Sequence, residues 1–368
     1  MVLSASSVQA FYDTGSSYTV FFRQAIWVLV ALPLAWLASR LPIGVIRRSA
    51  GLALLLTVGL LVLTYTPLGV DVAGNRNWIS FGGPFRIQPS ELAKLTLVVW
   101  LAAHYSRQSR RFDRWRHLLW PMVPIAALVS GLVVGQHDLG TALVLFAIVL
   151  GMVWTVGAPA RLFVGSALAV GGLALFLVSL SSNRVDRLTN FVNPFADYED
   201  TGWQAAHGFF ALANGGWWGV GLGASTQKWE GKLPAAHNDF IFAIIGEELG
   251  LFGALVVIVL FAVLAYAGLR IATRTRDRFA RYAAAGITVW LSSQAIINIG
   301  MVLGLLPVIG VPLPLVSYGG SSLLPTLVAL GLLTSLAKTE PGAAAAWRAH
   351  HKQGIAARWG LARPRRGR

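Results

Sequence analysis

Nine long apolar runs constrain this chain more than any other feature of it. They lie near residues 22–40, 50–66, 89–105, 118–135, 139–157, 162–180, 240–269, 282–306 and 322–337. A bilayer crossing takes roughly 20 apolar residues, and in lipid only helices or closed barrels satisfy their own backbone. Only 12% of the residues are charged, against about 25% in a soluble domain. The expected fold is all-α: a polytopic membrane helical bundle over residues 1–338, followed by a basic tail at 339–368 whose composition predicts disorder.

The net charge of +15 would suit nucleic acid, but its placement points to a membrane instead. Arg and Lys gather in the loops 40–48, 106–117, 158–161 and 270–281 and in the tail. The positive-inside rule makes those segments cytoplasmic. Segments 1–21, 67–88, 181–239 and 307–321 then face out, with 181–239 as the large extracytoplasmic loop. With no cysteine in the chain, a disulfide framework and a thiolate zinc site are excluded. The seven histidines show no metal-ligand spacing. Nine spans put the N-terminus outside, and Met1–Ser7 reads like the last turn of a span. One more helix before Met1 is expected; the alternative is that residues 1–21 cross unaided.

Polar residues beside or within the runs are the candidates for chemistry. Asn238 and Asp239 precede the apolar run at Phe240 and are good helix N-caps. Asp239 is either only a cap or a base at the outer mouth of a span. Below it, Glu247 falls about 80° away around a helix and Glu248 about 180°. Only Glu247 could share a cavity with Asp239, and either glutamate could instead anchor a neighbouring helix. Glu91 and Lys94 lie three apart in the third run. They share a helix face, as a packing ion pair or as the wall of a cavity for a charged substrate. Gln294 and Asn298 form a polar stripe that interhelical hydrogen bonding alone would explain. Pro307, Pro312 and Pro314 cannot sit in one straight helix. They predict a re-entrant loop over 304–322 whose Ser317 and Ser321 suit phosphate or sugar, unless the loop serves packing. Asp138 is expected to cap the fifth span. The glycines from Gly215 to Gly223 follow no strand, so they read as close backbone packing.

Several separated blocks resemble the SEDS family (shape, elongation, division and sporulation), the bacterial peptidoglycan glycosyltransferases. They are Gly74–Ile79 with Gln88–Glu91, Gln136–Thr141, Leu233–Gly250, and Asn298–Gly300 through Ser322. Gln227-Lys228-Trp229 and Ile245-Gly246-Glu247-Glu248 look more like the cell-division branch than the rod-elongation branch. The resemblance implies a ten-helix membrane enzyme that polymerises lipid II, a disaccharide-peptide on undecaprenyl pyrophosphate, at the outer leaflet of the plasma membrane. It implies that the aspartate of the LPxxHxDF block, here Asp239, is catalytic. Ala235 and Asn238 stand where the family usually has Glu and Thr, and Glu230-Gly231-Lys232 departs from its commoner loop. A divalent cation (Mg or Mn) is expected with unknown ligands. The expected partners are a class B penicillin-binding protein transpeptidase and other divisome proteins. Candidate substrate-binding residues are Arg76, Trp78, Glu91, Lys94, Lys228, His237, Ser317 and Ser321, with Arg86 a further helper for the pyrophosphate. Trp78 could stack on sugar or sit in the interfacial belt. Two other functions fit the same membrane architecture: a lipid II flippase, and a non-enzymatic scaffold for a transpeptidase.

Overall fold

A computed structural model describes residues 1–72, 74–80, 86–108, 119–179, 191, 194–195, 202–229, 231–234 and 236–343. A helix lies over each of the nine apolar runs: α2 (Thr19–Arg40), α3 (Ile43–Leu63), α4 (Pro89–Gln108), α5 (Met122–Gly135), α6 (Leu139–Thr155), α7 (Ala160–Ser179), α9 (Ile241–Arg274), α10 (Arg278–Val302) and α11 (Gly320–Ala337). Among the described residues, five of them, α2, α3, α9, α10 and α11, are long and apolar enough to cross a membrane on length and composition alone. Among the described residues two further helices appear: α1 (Val2–Thr14), longer than the single turn read at Met1–Ser7, and α8 (Trp203–Gly215), where loop was expected. The segment read as an outer tail is thus largely helical, and Ala5 on α1 is buried in a core cluster with Ala211 and Phe240. A small antiparallel sheet, β1 (Gly69–Val72), β2 (Asn75–Ser80) and β3 (Arg86–Ile87), fills the connection between α3 and α4. Most of the tail, and the loop arginines Arg110, Arg111, Arg114 and Arg116, lie outside the described residues, as do Asp197, Glu199, Asp200, Glu230 and Ala235.

Two helices form the centre. On α4, Leu97, Val98, Leu101 and Ala102 have no exposure, and on α10 neither do Ala284, Ile287 and Trp290. The outer helices carry apolar residues all round, as a lipid-facing helix must. Leu29 on α2 and Leu55 on α3 are exposed, while small residues such as Ala31 and Ala50 face inward. α11 lies so close along α2 that a Cβ at Gly331 would strike the Ala35 carbonyl.

The seventh run is not one straight span. At Gly250 the backbone takes φ 67° and ψ −166°, a region open essentially only to glycine. A Cβ there would lie 2.5 Å from the Trp217 carbonyl oxygen and would also strike the Gly219 nitrogen. The break divides α9 into a short piece, Ile241–Leu249, buried as far as Glu248, and a lipid-facing piece from Leu251 onward. The glycine-rich loop after α8 fills the break. Val220 N donates to Glu247 O (2.9 Å), Gly221 N to Glu248 O (3.1 Å), and Leu251 N to Gly216 O (2.9 Å). These bonds satisfy carbonyls and amides that the interrupted helix leaves over.

Candidate active site

The two glutamates of α9 bind protein, not a cavity. Glu247 has no exposure. It accepts from Ser225 Oγ, from Thr226 N (3.0 Å) and Oγ1 (2.9 Å), and from Gln227 N (3.3 Å). It therefore anchors the 225–227 loop and cannot line the cavity proposed for it. Glu248 pairs with Lys228 at 2.9 Å and accepts from Ser4 Oγ at 2.6 and 2.7 Å. Lys228 also donates to Gly223 O (2.7 Å) and Ser4 Oγ (3.2 Å). Its ammonium is thus used internally, in joining α1 and the loop to α9.

Asp239 differs from both. Phe240, not Asp239, is the N-cap of α9, and the helix start has no side-chain cap. The capping alternative therefore falls. Three consecutive carbonyls are held instead: Tyr318 N donates to His237 O (2.9 Å), Ser317 Oγ to Asn238 O (2.7 Å), and Asn298 Nδ2 to Asp239 O (2.8 Å). The 304–322 loop and α10 pin the backbone. Among the described residues nothing donates to the Asp239 carboxylate. Burial pushes this carboxyl up to about 6, and the charge of Asp138 adds to the rise. A group of that kind is poised near neutral pH to accept a proton.

The irregular loop brings Asp138 close as well. Gly310, at φ 67°, places its missing Cβ 3.5 Å from Asp239 Oδ2. A Cβ at Gly140, two residues beyond Asp138, would lie 2.6 Å from Ile309 O. Asp138 caps α6 as expected, through Thr141 N at 2.9 Å. Its carboxylate also takes Thr141 Oγ1 (2.9 Å), Asn77 Nδ2 (3.0 Å), Gln88 Nε2 (3.1 Å) and Ser90 Oγ (3.4 Å). One acid is therefore saturated with donors, and its neighbour has none among the described residues.

Glu91 and Lys94 form a buried pair at 2.7 Å. Lys94 Nζ also donates to Gln294 Oε1 (2.9 Å), and Gln294 Nε2 donates to Pro312 O (2.9 Å). The pair thus braces the loop beside Asp239 from behind. Glu91 Oε2 is buried and has no partner among the described residues. Ser317 Oγ also accepts from Leu313 N (2.8 Å), and Ser321 Oγ accepts from Gln88 N (2.6 Å). Both hydroxyls hold the loop in place. His237 packs its ring on Tyr318 with centroids 5.3 Å apart, and burial pulls its imidazole down to about 4, so it is neutral at pH 7. On β2 the side chains alternate: Asn77 and Ile79 are buried, while Arg76 and Trp78 face the other way. Arg76 is exposed and donates to Thr66 O (2.9 Å). Arg86 is exposed on β3. Sequence reasoning missed Asn77 and Gln88 as members of the site, although the alternation along β2 was the signal for Asn77.

Among the described residues no three His, Asp or Glu side chains converge to hold a metal ion. The donor set does not make a protein cage for the expected divalent cation. A hard ion with few protein ligands would have to take its oxygens from substrate phosphates and water.

The fold and site define a polytopic membrane protein with an acid, donor-free among the described residues, held at the head of a broken helix. The family model of FtsW, RodA and SpoVE, described as "Cell cycle protein", matches residues 1–341, and the chain belongs to this family. It is 45% identical over 352 residues to a protein of Mycobacterium tuberculosis named "Probable peptidoglycan glycosyltransferase FtsW", covering 95% of this chain and 66% of that one. A Nitrosococcus halophilus protein of the same name is 40% identical, covering 90% of this chain and 86% of that one. The chain therefore spans about two thirds of the length of the mycobacterial relative. Among solved structures it is similar to a chain described under "Structural coordination of polymerization and crosslinking by a peptidoglycan synthase complex". There the TM-score is 0.74 with 28% identity, covering 92% of this chain and 96% of that one. It is also similar to Thermus thermophilus rod shape determining protein RodA, with TM-score 0.63 and 27% identity, covering 92% and 94%.

Proposed function

We infer that this chain is a peptidoglycan glycosyltransferase that polymerises lipid II at the outer face of the bacterial plasma membrane during septal wall synthesis. Its C-terminus is cytoplasmic in this reading. It works with a class B penicillin-binding protein transpeptidase and other divisome proteins. One observation carries the chemistry: the carbonyls of His237, Asn238 and Asp239 are all pinned, while the Asp239 carboxylate accepts nothing among the described residues. Such a group is free to bind the hydrogen of a substrate hydroxyl, and its elevated pKa makes it an effective base at neutral pH.

Asp239 removes the proton from the 4-hydroxyl of the acceptor sugar. The oxygen forms a bond to the anomeric carbon of the donor chain as the bond to undecaprenyl pyrophosphate breaks, inverting that carbon. The exposed Arg76 and Arg86 supply positive charge for the leaving pyrophosphate. Asp138, already saturated with donors, holds the hairpin and the loop at the site.

The test is a purified Asp239→Asn protein given fluorescent lipid II in vesicles. Loss of glycan ladders from a protein that melts no lower than wild type supports the base assignment, and wild-type ladders refute it. Leaflet movement of lipid II without ladders in the wild-type chain would point to a flippase, and neither activity to a scaffold.

A further inference from the structure

We propose that a cavity at the opposite end of α4 from Asp138 binds the phosphate of an anionic phospholipid. The cavity measures about 160 Å³ and is lined by Arg47, Arg48 and Gly51 of α3 and by Trp100, His104 and Arg107 of α4. Arg107 lies sixteen residues beyond Glu91, or about 24 Å along the helix. This site is therefore separate from the acid centre.

Three features select the ligand. Arg47, Arg48 and Arg107 are exposed, and among the described residues no carboxylate pairs with any of them. Three guanidinium groups around one cavity, without a counter-ion among the described residues, favour an oxyanion, and guanidinium matches phosphate in geometry. His104 Nε2 is buried with no partner among the described residues, which leaves a ring nitrogen for the ligand. Below the cationic rim, Trp100 stacks on His104 at 5.4 Å and 12°. Trp100 lies about 10 Å from Arg107 along α4, so charge at the mouth gives way to an aromatic floor deeper in the bundle. That gradient suits an amphiphile with a phosphate head and an apolar body. Free phosphate would gain nothing from the floor. Basic pockets between spans near the membrane surface are suited to lipid head groups on physical grounds.

The experiment is native mass spectrometry of the full chain in mild detergent. Phosphatidylglycerol is compared with phosphatidylcholine of the same acyl chains, with and without millimolar inorganic phosphate. The expected result is preferential retention of phosphatidylglycerol that phosphate does not displace. The combined Arg47→Gln, Arg48→Gln and Arg107→Gln variant should bind it roughly 10–100-fold more weakly. Gly51→Leu fills the cavity without changing charge. A Cβ at Gly51 meets nothing within 4 Å, so this variant should fold and show a comparable loss. It decides the matter if the triple variant fails to fold. Wild-type retention by Gly51→Leu would overturn the proposal in favour of diffuse surface charge. Equal retention of the two lipids, or displacement by inorganic phosphate, would overturn it too.

Discussion

Replacing Gly140 with Ala tests whether the loop at 309–312 positions the acid. The new Cβ would sit 2.6 Å from Ile309 O, 2.8 Å from Val311 Cγ2 and 3.5 Å from Gly310 O. Ordinary contact begins near 3.4 Å, so the Ile309 carbonyl must yield by about 0.8 Å. The loop cannot move away as a body. Asn298 Nδ2 holds Val311 O at 2.7 Å and Gln294 Nε2 holds Pro312 O at 2.9 Å. The displacement therefore passes to Gly310, which faces Asp239 Oδ2. Overpacking of this kind costs about 1–3 kcal/mol of stability. A misplacement approaching 1 Å at reacting groups costs on the order of 100-fold in rate. The expected outcome for Gly140→Ala is a kcat about 10–100-fold down, with KM within about twofold, since the substrate contacts themselves are kept. The assay is the initial rate of glycan-strand formation from fluorescent lipid II by the full chain in nanodiscs. Gly59→Ala is the matched control: its Cβ meets nothing within 4 Å. It should gain up to about 1 kcal/mol of helix stability and leave kcat alone. Wild-type kcat and melting in Gly140→Ala would show that the loop does not couple the start of α6 to Asp239.

The rate should fall as pH drops through about 6, because the base must be ionised and burial raises its pKa to that value; a pH–kcat profile flat from 7 to 5 would contradict the assignment. The same shift makes the charged acid unfavourable in the folded state, an advantage of the neutral form that is complete below about 3.8 and lost as pH rises through about 6. Asp239→Asn should therefore melt higher than wild type at pH 7 while being inactive, by at most about 3 kcal/mol, as calorimetry would register. Lys94→Met strands the Glu91 charge in the core and should destabilise by roughly 3–5 kcal/mol, whereas the Glu91→Gln, Lys94→Met double variant should recover much of that; equal melting of the two variants would count against the pair. Gly250→Ala should fail to accumulate as folded protein, since its φ of 67° and the neighbouring Trp217 carbonyl leave no place for a Cβ; normal yield in membranes would refute the break as an obligatory feature.

Much of the fold was legible because lipid permits so few structures. Each apolar run became a helix, and the prolines at 307, 312 and 314 did mark irregular backbone. The break at Gly250 was not legible. Its neighbours are apolar on both sides, and the loop amides that stabilise it come from residues 216–221, a tertiary contact without a local signal. The role of Glu247 followed that same blind spot, whereas Glu248 does anchor a neighbouring helix, α1, which the sequence left open. Helical angles placed Glu247 on the side of Asp239, but buried loop donors surround it. At Ser317 the sequence left ligand binding and packing both open, and the bonds present are packing bonds, to Asn238 O and from Leu313 N. Asn77 could have been found, since it alternates inward between Arg76 and Trp78.

Why should the acid precede a broken helix and not an ordinary one? An N-terminal aspartate on an unbroken span would be drawn into capping by the helix amides, which lowers its pKa and occupies its oxygens. Here Phe240 takes the cap position, and the carbonyls of His237, Asn238 and Asp239 are tied to a different element, the 313–318 loop and α10. Those bonds fix the direction of the chain without supplying a donor to the carboxylate. The short piece before the break can then be buried from Ile241 to Glu248, because Gly250 lets the chain turn out to lipid only after the site is built. The hydrophobic surroundings that bury this piece also raise the pKa of the acid at its head. Backbone rigidity, a free carboxylate and a neutral-range pKa thus share one structural cause. A substitution that straightened α9 would be expected to remove all three together, not one at a time.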